Sequence, residues 1–318
     1  MSVIDEPRTK LSARLRNRPS LSTIVDGVVG FWPDHTKFLS RSVASHSDED
    51  LDILEGYSTD ILRLIGSDLS RHIEHYKWMC TAFTKEAMHF LRTGEYRCKT
   101  FAEADVQVYS NRPFMMKYMD GLLVSQALWA NHAKCAIYFK QKFLPRLKPG
   151  ARYLEIGPGH GLFLAQAARV PAVSKAVAWD VSPESVEQAR AAIATMGVSR
   201  PIDISQRNVM TASESLERFD AIVISEVLEH MEDPHAALRA LRSIIAPNGE
   251  LLVNVPVNSP APDHIYLLRS PTEAQELVNS TGFEVIDHAP FPMTGYSLGE
   301  AVAQRATVSC MLIARPRI

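Results

Sequence analysis

A glycine-rich loop constrains the fold of this 318-residue chain more than any other feature. An apolar run over residues 152–156 leads into Gly157, Gly159 and Gly161, and a helical pattern follows at once over residues 162–168. Glycine lets the backbone turn sharply and lets a ligand approach it closely. The first turn of the next helix offers free N–H groups and a partial positive charge. The segment therefore predicts a strand, a ligand-binding turn and a helix.

Strands and helices alternate from residue 151 onward, which predicts a parallel α/β sheet. After the first strand we predict strands over residues 175–180, 201–205, 219–225, 250–255, 283–287 and 307–314. The run over 219–225 is apolar throughout, which is typical of a strand covered on both faces. No helical pattern separates the last two strands, and this predicts an antiparallel pair at the edge of the sheet.

Capping residues indicate where several helices begin. Ser182 before Pro183 and Asp233 before Pro234 are typical helix N-termini. The sequence Ser-Pro-Thr-Glu at 270–273 predicts a capping box.

The N-terminal half has a helical pattern without a catalytic motif. Apolar residues recur every three or four positions from residue 21 to 92, and Gly94 predicts a helix end. We expect a helical domain over residues 1–120, acting as a lid, a dimer surface or a substrate pocket, and a second domain over residues 121–318. Residues 1–20 are expected to be frayed, with a solvated basic cluster of Arg8, Lys10, Arg14, Arg16 and Arg18.

Two further stretches are candidates for contact with a substrate. Residues 115–129 are rich in Met, Leu and aromatic residues, and predict either a packed helix between the domains or the wall of an apolar cavity. Residues 290–304, with Gly295 and Gly299, predict either a loop that closes over a substrate or a plain surface loop.

Composition narrows the classes of function. The net charge of −2 argues against a dedicated nucleic-acid binder, and no apolar run is long enough to cross a bilayer. Cys80, Cys98, Cys135 and Cys310 lack the paired spacing of metal sites, so they predict free, buried thiols in a reducing compartment. These features predict a cytoplasmic protein with no membrane partner.

Two polar residues follow strands at the edge where the glycine loop is expected. Ligands of open α/β sheets bind at the carboxyl ends of the strands. Asp180 ends the second strand, about twenty residues past the glycines, where an acidic side chain can accept both ribose hydroxyls of an adenosine cofactor. Asn208 follows the third strand and would meet the adenine edge or serve as a turn residue. Nicotinamide dehydrogenases and methyl-transfer enzymes share such a loop.

Three segments in order carry a resemblance to a known family. They are Leu-Glu-Ile-Gly-Pro-Gly-His-Gly at 154–161, Trp-Asp at 179–180, and Phe-Asp-Ala-Ile-Val-Ile-Ser-Glu-Val-Leu-Glu-His at 219–230. These segments resemble the motifs of class I S-adenosylmethionine-dependent methyltransferases, and the resemblance covers residues 130–318. It implies a Rossmann-like methyltransferase sheet with an antiparallel last strand, preceded by the α-helical N-terminal domain.

The resemblance also implies which residues hold S-adenosyl-L-methionine. Glu155, Gly157, Gly159 and Gly161 would hold the methionine part, Asp180 the ribose, and Asn208 and Val209 the adenine. Many members of the family have an acidic residue where this chain has Asn208. Glu226 would orient the cofactor.

Glu226, Glu229, His230 and His264 carry the expected chemistry. The first three stand at spacings of three and four, so one helical turn would point them to the same side. Together the four would bind a divalent cation such as Mg, Mn, Fe or Zn. The Glu-x-x-Glu-His step resembles that of ubiquinone-pathway O-methyltransferases and, with the later Asp-His, that of metal-dependent small-RNA 2′-O-methyltransferases. The same step also occurs without a metal.

A general base matters if the acceptor is a hydroxyl or an acidic C–H. His230 is the first candidate for this base and Glu229 the second. His160, inside the glycine loop, is an outside candidate, and a loop residue beside the cofactor is the plainer interpretation.

The predicted function is methyl transfer to a small-molecule acceptor, with oxygen as the target if a cation assists. Methylation of carbon next to a carbonyl, through a cation-stabilised enolate, is the runner-up. RNA 2′-O-methylation is a further alternative, although phosphate contacts demand a more basic surface. A non-catalytic methyltransferase-like scaffold and a nicotinamide dehydrogenase complete the alternatives. The helical domain is a candidate homodimer surface.

Overall fold

A single mixed sheet forms the centre of the computed structural model, which describes residues 5–214 and 217–317. Its strands within those residues are β1 (Ala151–Ile156), β2 (Val173–Asp180), β3 (Ile202–Gln206), β4 (Phe219–Ser225), β5 (Ile245–Val257), β6 (Phe283–Pro292) and β7 (Val308–Pro316). They lie in the order β3-β2-β1-β4-β5-β7-β6, and the ladders are parallel apart from the two that β7 makes. The predicted α/β sheet with an antiparallel last strand is confirmed.

The register of the central strands gathers the predicted site at one edge. Ile156 of β1 pairs with Trp179 of β2 and with Ile224 of β4. Because these strands are parallel and end at the same level, the residues that follow them meet. The glycine loop follows β1, Asp180 ends β2, and Glu226 follows β4.

Helices cover both faces of this sheet. Those before the sheet are α1 (Asp5–Leu15), α2 (Pro19–Phe31), α3 (Thr36–Ala44), α4 (Asp48–Ile65), α5 (Leu69–Thr93), α6 (Phe101–Ala104), α7 (Arg112–Leu128) and α8 (Ala130–Tyr138). Those within it are α9 (Leu162–Ala168), α10 (Pro183–Thr195), α11 (Pro234–Ile244), α12 (Pro271–Asn279) and α13 (Leu298–Ala303). A π-helical segment, Asp105–Tyr109, continues α6 toward α7.

Alternate residues of the strands enter two different hydrophobic cores. Tyr153 and Val223 belong to a core that also contains Ile24 of α2 and Ile61 of α4. Their neighbours along the strands, such as Leu154, pack instead with the apolar faces of α11 and α12. The N-terminal helices therefore share one core with a face of the sheet. The predicted domain boundary after residue 120 falls inside α7, and the division into two domains stays a prediction.

The expectation that residues 1–20 are frayed is wrong for the part that the structure describes. Residues 5–15 form α1 and residues 19–20 begin α2, whereas residues 1–4 lie outside the described part. Arg18 is buried, and its Nη2 lies 2.8 Å from Asp52 Oδ1 and 3.5 Å from Asp48 Oδ1. It therefore joins α4 to the N-terminus and is not a solvated member of the basic cluster.

Local capping signals predicted the helix ends well. The side chain of Ser182 accepts a hydrogen bond from Ser185 N, and Asp233 accepts one from Ala236 N. Gly94 ends α5 with a left-handed φ of 76°. The capping box predicted at residues 270–273 forms only in part, because Glu273 accepts from Arg269 N and not from the N–H of the cap residue.

Two sequence predictions differ from the structure in the last three strands of the sheet. The last strands are antiparallel, as expected, but the short helix α13 lies between them and occupies part of the predicted 290–304 loop. The fifth strand begins at Ile245 and not at residue 250. Residues 246–249, which include Asn248 and Gly249, lie between the pairs Phe219–Ile245 and Ala221–Glu250 and have no partner in β4, so they form an irregularity within β5.

Candidate active site

The glycine loop has the open backbone that a bound ligand needs. Gly157, Gly159 and Gly161 have φ values of 63°, 50° and 70°, in the left-handed region that favours glycine. A Cβ on Gly157 would lie 2.6 Å from Val227 Cγ2, whereas one on Gly159 would meet nothing within 4 Å. The backbone at Gly159 is therefore open toward the space above the sheet. At Gly157, in contrast, the packing of Val227 leaves no room for a side chain.

Two acidic residues line the same cavity as the glycine loop. Glu155 is buried, and its Oε2 accepts a hydrogen bond of 2.6 Å from the Tyr153 hydroxyl. Burial raises the pKa of Glu155 to about 8. Asp180 accepts from Ser182 N at 2.9 Å through Oδ1, and burial raises the pKa of its carboxyl as well.

The predicted adenine residues lie beside them. Asn208 is exposed, and its Oδ1 accepts a hydrogen bond of 2.9 Å from Met210 N, so it is a turn residue as well as a part of the cavity wall. Val209 is buried and gives the wall an apolar surface.

The cavity above the carboxyl edge of the sheet has a volume of about 2230 Å³. Single drug-sized ligands occupy pockets of about 300–1,000 Å³, so there is room for more than one molecule. The helical half forms the opposite wall, with Phe83 of α5, Met115 and Met119 of α7, and Trp129. The stretch at 115–129 thus meets both predictions, since α7 packs against the core and also lines the cavity.

Glu226 does not belong to a helical turn with Glu229 and His230, and this part of the prediction is wrong. Its φ is 53°, and its N–H donates to Asn254 O at 2.9 Å. A separate 3-10 turn, Leu228–His230, carries the other two residues. The left-handed residue ends β4 and redirects the chain before the 3-10 turn.

Glu229, His230 and His264 form a compact cluster in which one ligand atom of each lies within 4.8 Å of the others. His230 Nε2 is 3.8 Å from Glu229 Oε1, and His264 Nε2 is 4.0 Å from the same oxygen. The backbone N–H groups of Ile265 and Tyr266 both donate to Glu229 O at 2.9 Å. These bonds hold the loop after β5 against the 3-10 turn and bring His264 to Glu229.

Backbone carbonyls fix the hydrogen positions of both imidazoles. His264 Nδ1 lies 2.7 Å from Ser259 O, and His230 Nδ1 lies 3.2 Å from Asp263 O. A carbonyl oxygen only accepts, so each Nδ1 carries the hydrogen and each Nε2 presents a lone pair toward Glu229. Burial lowers the pKa of His264 to about 4, which keeps its ring neutral.

The buried Glu229 carboxyl group lacks the hydrogen bonds that usually offset the cost of burying a polar group. Its exposed fraction is 1%, and neither of its oxygens has a hydrogen-bond partner among the described residues. Burial, together with the nearby Glu226, raises the pKa of Glu229 well above its ordinary value. Burial also raises the pKa of Glu226 to about 7, and Glu226 Oε1 likewise lacks a partner within the described part of the chain. A buried, unsatisfied carboxyl beside two lone pairs has the composition of a cation site.

Sequence reasoning missed Tyr109 and Tyr118, which complete this cluster, and noted Asp263 only as part of the Asp-His step. Tyr109 OH lies 3.1 Å from His230 Nδ1 and donates to Asp263 Oδ2 at 3.2 Å, and Tyr118 OH donates to Asp263 Oδ1 at 2.8 Å. The tyrosines come from the helical half, more than a hundred residues from their partners. No local pattern marks such a contact.

His160 connects the glycine loop to the helical half. Its Nε2 lies 3.1 Å from Met119 O of α7, and burial lowers the pKa of the ring to about 4. The nitrogen next to the carbonyl must carry the hydrogen, so His160 is held in place as a loop residue.

The remaining sequence expectations concern the cysteines and the membrane. All four cysteines are free, and Cys98, Cys135 and Cys310 are buried while Cys80 is half-buried. In residues 5–214 and 217–317 we find no helix with the length and hydropathy of a membrane span.

Comparison with known families gives one match over most of the sheet. The model of a family described as "Methyltransferase domain" matches residues 129–302. The ubiquinone biosynthesis O-methyltransferase of Xanthomonas axonopodis pv. citri (strain 306) is 38% identical over 118 residues, which cover 36% of this chain and 48% of that protein. The protein of the same name from Xanthomonas campestris pv. campestris (strain B100) is 37% identical over 114 residues, or 36% of this chain and 46% of that protein. The chain spans about half the length of these relatives.

Solved structures with a similar fold include the mitomycin 7-O-methyltransferase MmcR, with a TM-score of 0.48 and 17% identity over 79% of this chain and 72% of that one. A SAM-dependent methyltransferase from Aquifex aeolicus has a TM-score of 0.42 and 17% identity over 57% of this chain and 87% of that one.

Proposed function

The chain belongs to the methyltransferase domain family, and on that premise we propose that it transfers a methyl group from S-adenosylmethionine to a hydroxyl oxygen of a small-molecule acceptor, assisted by a divalent cation. Both of these relatives are named as O-methyltransferases, which supports oxygen as the target. The cavity of about 2230 Å³ supports a cofactor and an acceptor side by side.

The residues around the glycine loop fit the cofactor by their chemistry. S-adenosylmethionine, when bound, supplies an activated methyl group. The open backbone at Gly159 would approach its methionine part, and Glu155 would pair with the ammonium group there. Asp180 would accept the ribose hydroxyls through the oxygen that Ser182 N does not occupy. Val209 and Asn208 would flank the adenine.

Glu229, His230 and His264 fit a divalent cation. A bound cation would supply Lewis-acid polarisation of the acceptor oxygen and lower its pKa. Both imidazoles are held with their Nε2 lone pairs toward Glu229, and His264 is neutral, as a ligand must be. Glu226 is outside this set of three and would act beside it, either on the cation or on the cofactor.

One observation carries the proposal: both oxygens of the buried Glu229 lack a hydrogen-bond partner among the described residues, and Oε1 lies 3.8 Å and 4.0 Å from Nε2 of His230 and His264. Leaving a buried polar group unsatisfied costs about 1–3 kcal/mol, and more if it is charged. A ligand that binds to the Glu229 carboxyl group would offset this cost.

The test begins with binding, because the acceptor is unidentified. Protein purified without a His tag is treated with a chelator and titrated calorimetrically with S-adenosylhomocysteine and with MnCl₂. We expect both to bind, and His264→Gln to weaken Mn²⁺ binding while leaving S-adenosylhomocysteine binding unchanged. His235→Gln, on α11 and away from the cavity wall, is the matched control. No Mn²⁺ binding would remove the cation from the proposal, and no S-adenosylhomocysteine binding would leave a non-catalytic scaffold.

Product analysis then separates the possible acceptors. Radiolabelled methyl transfer is measured to hydroxylated aromatic compounds, to β-dicarbonyl compounds and to short RNA. Phenolic acceptors suit the aromatic wall of Phe83 and Trp129. Label on carbon would favour the enolate route, and label on RNA would favour 2′-O-methylation. Light scattering tests the expected homodimer, and cell fractionation tests the expected cytoplasmic location.

A further inference from the structure

Asp263 lies behind His230 and joins it to the helical half of the protein. Its carboxylate is buried and receives the hydroxyl of Tyr118 at 2.8 Å on Oδ1 and that of Tyr109 at 3.2 Å on Oδ2. Tyr109 OH is also 3.1 Å from His230 Nδ1. A chain of contacts therefore runs from Asp263 through Tyr109 to the imidazole.

The hydrogens in this chain have one consistent arrangement. A carboxylate has no hydrogen to donate, so both phenols donate to Asp263. Burial, with Asp263 as the next cause, raises the pKa of Tyr109 and of Tyr118 far above the usual value, so both keep their hydrogens. The hydrogen of Tyr109 is directed at Asp263, and its oxygen is left to accept from His230 Nδ1–H.

The backbone carbonyl of Asp263 favours the same tautomer of His230. Asp263 O lies 3.2 Å from His230 Nδ1 and can only accept. Two acceptors within hydrogen-bond distance, Tyr109 O and Asp263 O, therefore face Nδ1, and Asp263 Oδ2 lies farther away at 3.5 Å. Nε2 is left without its hydrogen at 3.8 Å from Glu229 Oε1. This is the nitrogen that points into the proposed cation and acceptor site.

We propose that Asp263 is a positioning residue: by accepting the Tyr109 hydrogen it keeps Tyr109 from donating to His230 Nδ1, and so preserves the His230 tautomer with its lone pair on Nε2. The proposal rests on the proposed function, because that lone pair is what a cation or an acceptor proton would meet. It also gives the helical half a specific role in the chemistry, since Tyr109 and Tyr118 both come from it.

The variant Asp263→Asn reverses the direction of the hydrogen bond between the side chain of residue 263 and the Tyr109 hydroxyl. Tyr118 is fully buried and makes the shorter bond, so the amide oxygen stays with it and the amide nitrogen faces Tyr109. That nitrogen donates to Tyr109 O, and the Tyr109 hydrogen turns toward His230 Nδ1. The imidazole then shifts toward the tautomer with its hydrogen on Nε2.

The double variant Asp263→Asn with Tyr109→Phe should restore the original tautomer. It lacks the hydroxyl that would donate to Nδ1. Asp263 O, at 3.2 Å, still accepts from Nδ1 and is closer than the amide nitrogen, which takes the position of Oδ2 at 3.5 Å, beyond the usual hydrogen-bond range. Tyr109→Phe alone should leave the tautomer unchanged for the same reason. This rescue distinguishes a positioning role from simple damage, because damage would be greater in the double variant.

The measurement is ¹⁵N–¹H correlation spectroscopy of the histidine rings in the cation-free protein, at a pH where the imidazoles are neutral. Signals of His230 are assigned by their loss in His230→Gln. His264 is the internal control, because its Nδ1–H bonds to Ser259 O and involves neither tyrosine. Tyr138→Phe, which removes a buried hydroxyl outside the cavity wall, is the matched control variant.

We expect the Nε2–H tautomer of His230 to appear in Asp263→Asn and to disappear again in the double variant, with His264 constant throughout. Unchanged His230 signals in Asp263→Asn would overturn the proposal. So would a simultaneous change in His264, because Asp263 would then support the loop as a whole.

A second readout follows the consequence for binding. Mn²⁺ affinity should fall about 10–100-fold in Asp263→Asn and recover at least in part in the double variant. If the wild-type protein binds no Mn²⁺, the cation part of the proposed function fails while the tautomer measurement still decides this inference.

Discussion

Replacing Glu155 with glutamine isolates the energetic effect of one buried carboxyl group beneath the proposed cofactor site. The pKa of Glu155 is raised by burial from its ordinary 4.5 to about 8, and its one hydrogen bond, from Tyr153, remains available to an amide oxygen. Between these two pKa values the folded protein binds a proton that the unfolded chain has released. The free energy of unfolding must therefore fall as pH rises through this range.

The magnitude follows from the same values. One unit of pKa corresponds to 1.36 kcal/mol, so the ionisation of Glu155 lowers the free energy of unfolding by about 3 kcal/mol at pH 7 and about 4 kcal/mol at pH 8. At pH 5 the effect is below about 1 kcal/mol. Glu155→Gln removes this contribution, so the variant should gain about 3 kcal/mol relative to wild type between pH 5 and pH 8.

Urea unfolding at pH 5, 6, 7 and 8 in the presence of chelator, without cofactor, provides the assay. Other buried acids, such as Glu226, affect both proteins alike, so the difference between them reports on Glu155. Glu276→Gln, at an exposed position of α12, is the control and should give a pH-independent difference. A difference for Glu155→Gln that stays constant within about 1 kcal/mol would refute the reasoning.

Three further variants test other parts of the structure. Asp180→Ala should weaken S-adenosylhomocysteine binding about 10–100-fold by calorimetry, because two charge-assisted hydrogen bonds to the ribose are lost; unchanged affinity would remove Asp180 from the cofactor site. Gly157→Ala should destabilise the fold by about 1–3 kcal/mol and impair the same binding, since its φ is 63° and a Cβ would meet Val227 at 2.6 Å; a binding curve like that of wild type would argue against this. Arg169→Met should lower the free energy of unfolding by about 2–3 kcal/mol, because it removes the bidentate partner of buried Asp60 and the bond to Met196 O, while Arg63 remains at 3.1 Å. Arg239→Met, an exposed arginine, is its control and should change stability by less than about 0.5 kcal/mol.

Features with local causes could be predicted from the sequence. The glycine loop, the caps at Ser182 and Asp233 and the apolar run of β4 each depend on neighbouring residues, and each was found where expected. Glu229 and His230 were predicted from a motif and do form part of a cluster with His264. The assumption of a regular helical turn failed at Glu226, because the left-handed conformation there depends on the chain's exit from β4.

Features that depend on contacts distant in sequence were beyond such reasoning. Sequence alone places Arg18 in a solvated cluster, because its partners Asp48 and Asp52 are thirty or more residues away along the chain. Tyr109 and Tyr118 carry no motif of their own. Only the packing of α7 and of the π-helical segment before it brings them to Asp263. The hydroxyl contacts of the helical half with Asp263 could therefore not be predicted from the sequence, although its apolar wall at residues 115–129 could.

The position of β7 has a consequence for how the protein is made. β7 lies between β5 and β6 in the sheet but follows both along the chain. During synthesis on the ribosome, one edge of β5 and both edges of β6 therefore have no strand to pair with until residues 308–316 emerge. Unpaired edges are templates for aggregation, and prolines protect against it. β6 carries Pro290 and Pro292 near its end, so the nascent chain is partly guarded at the strand that has no partner on either edge until β7 emerges.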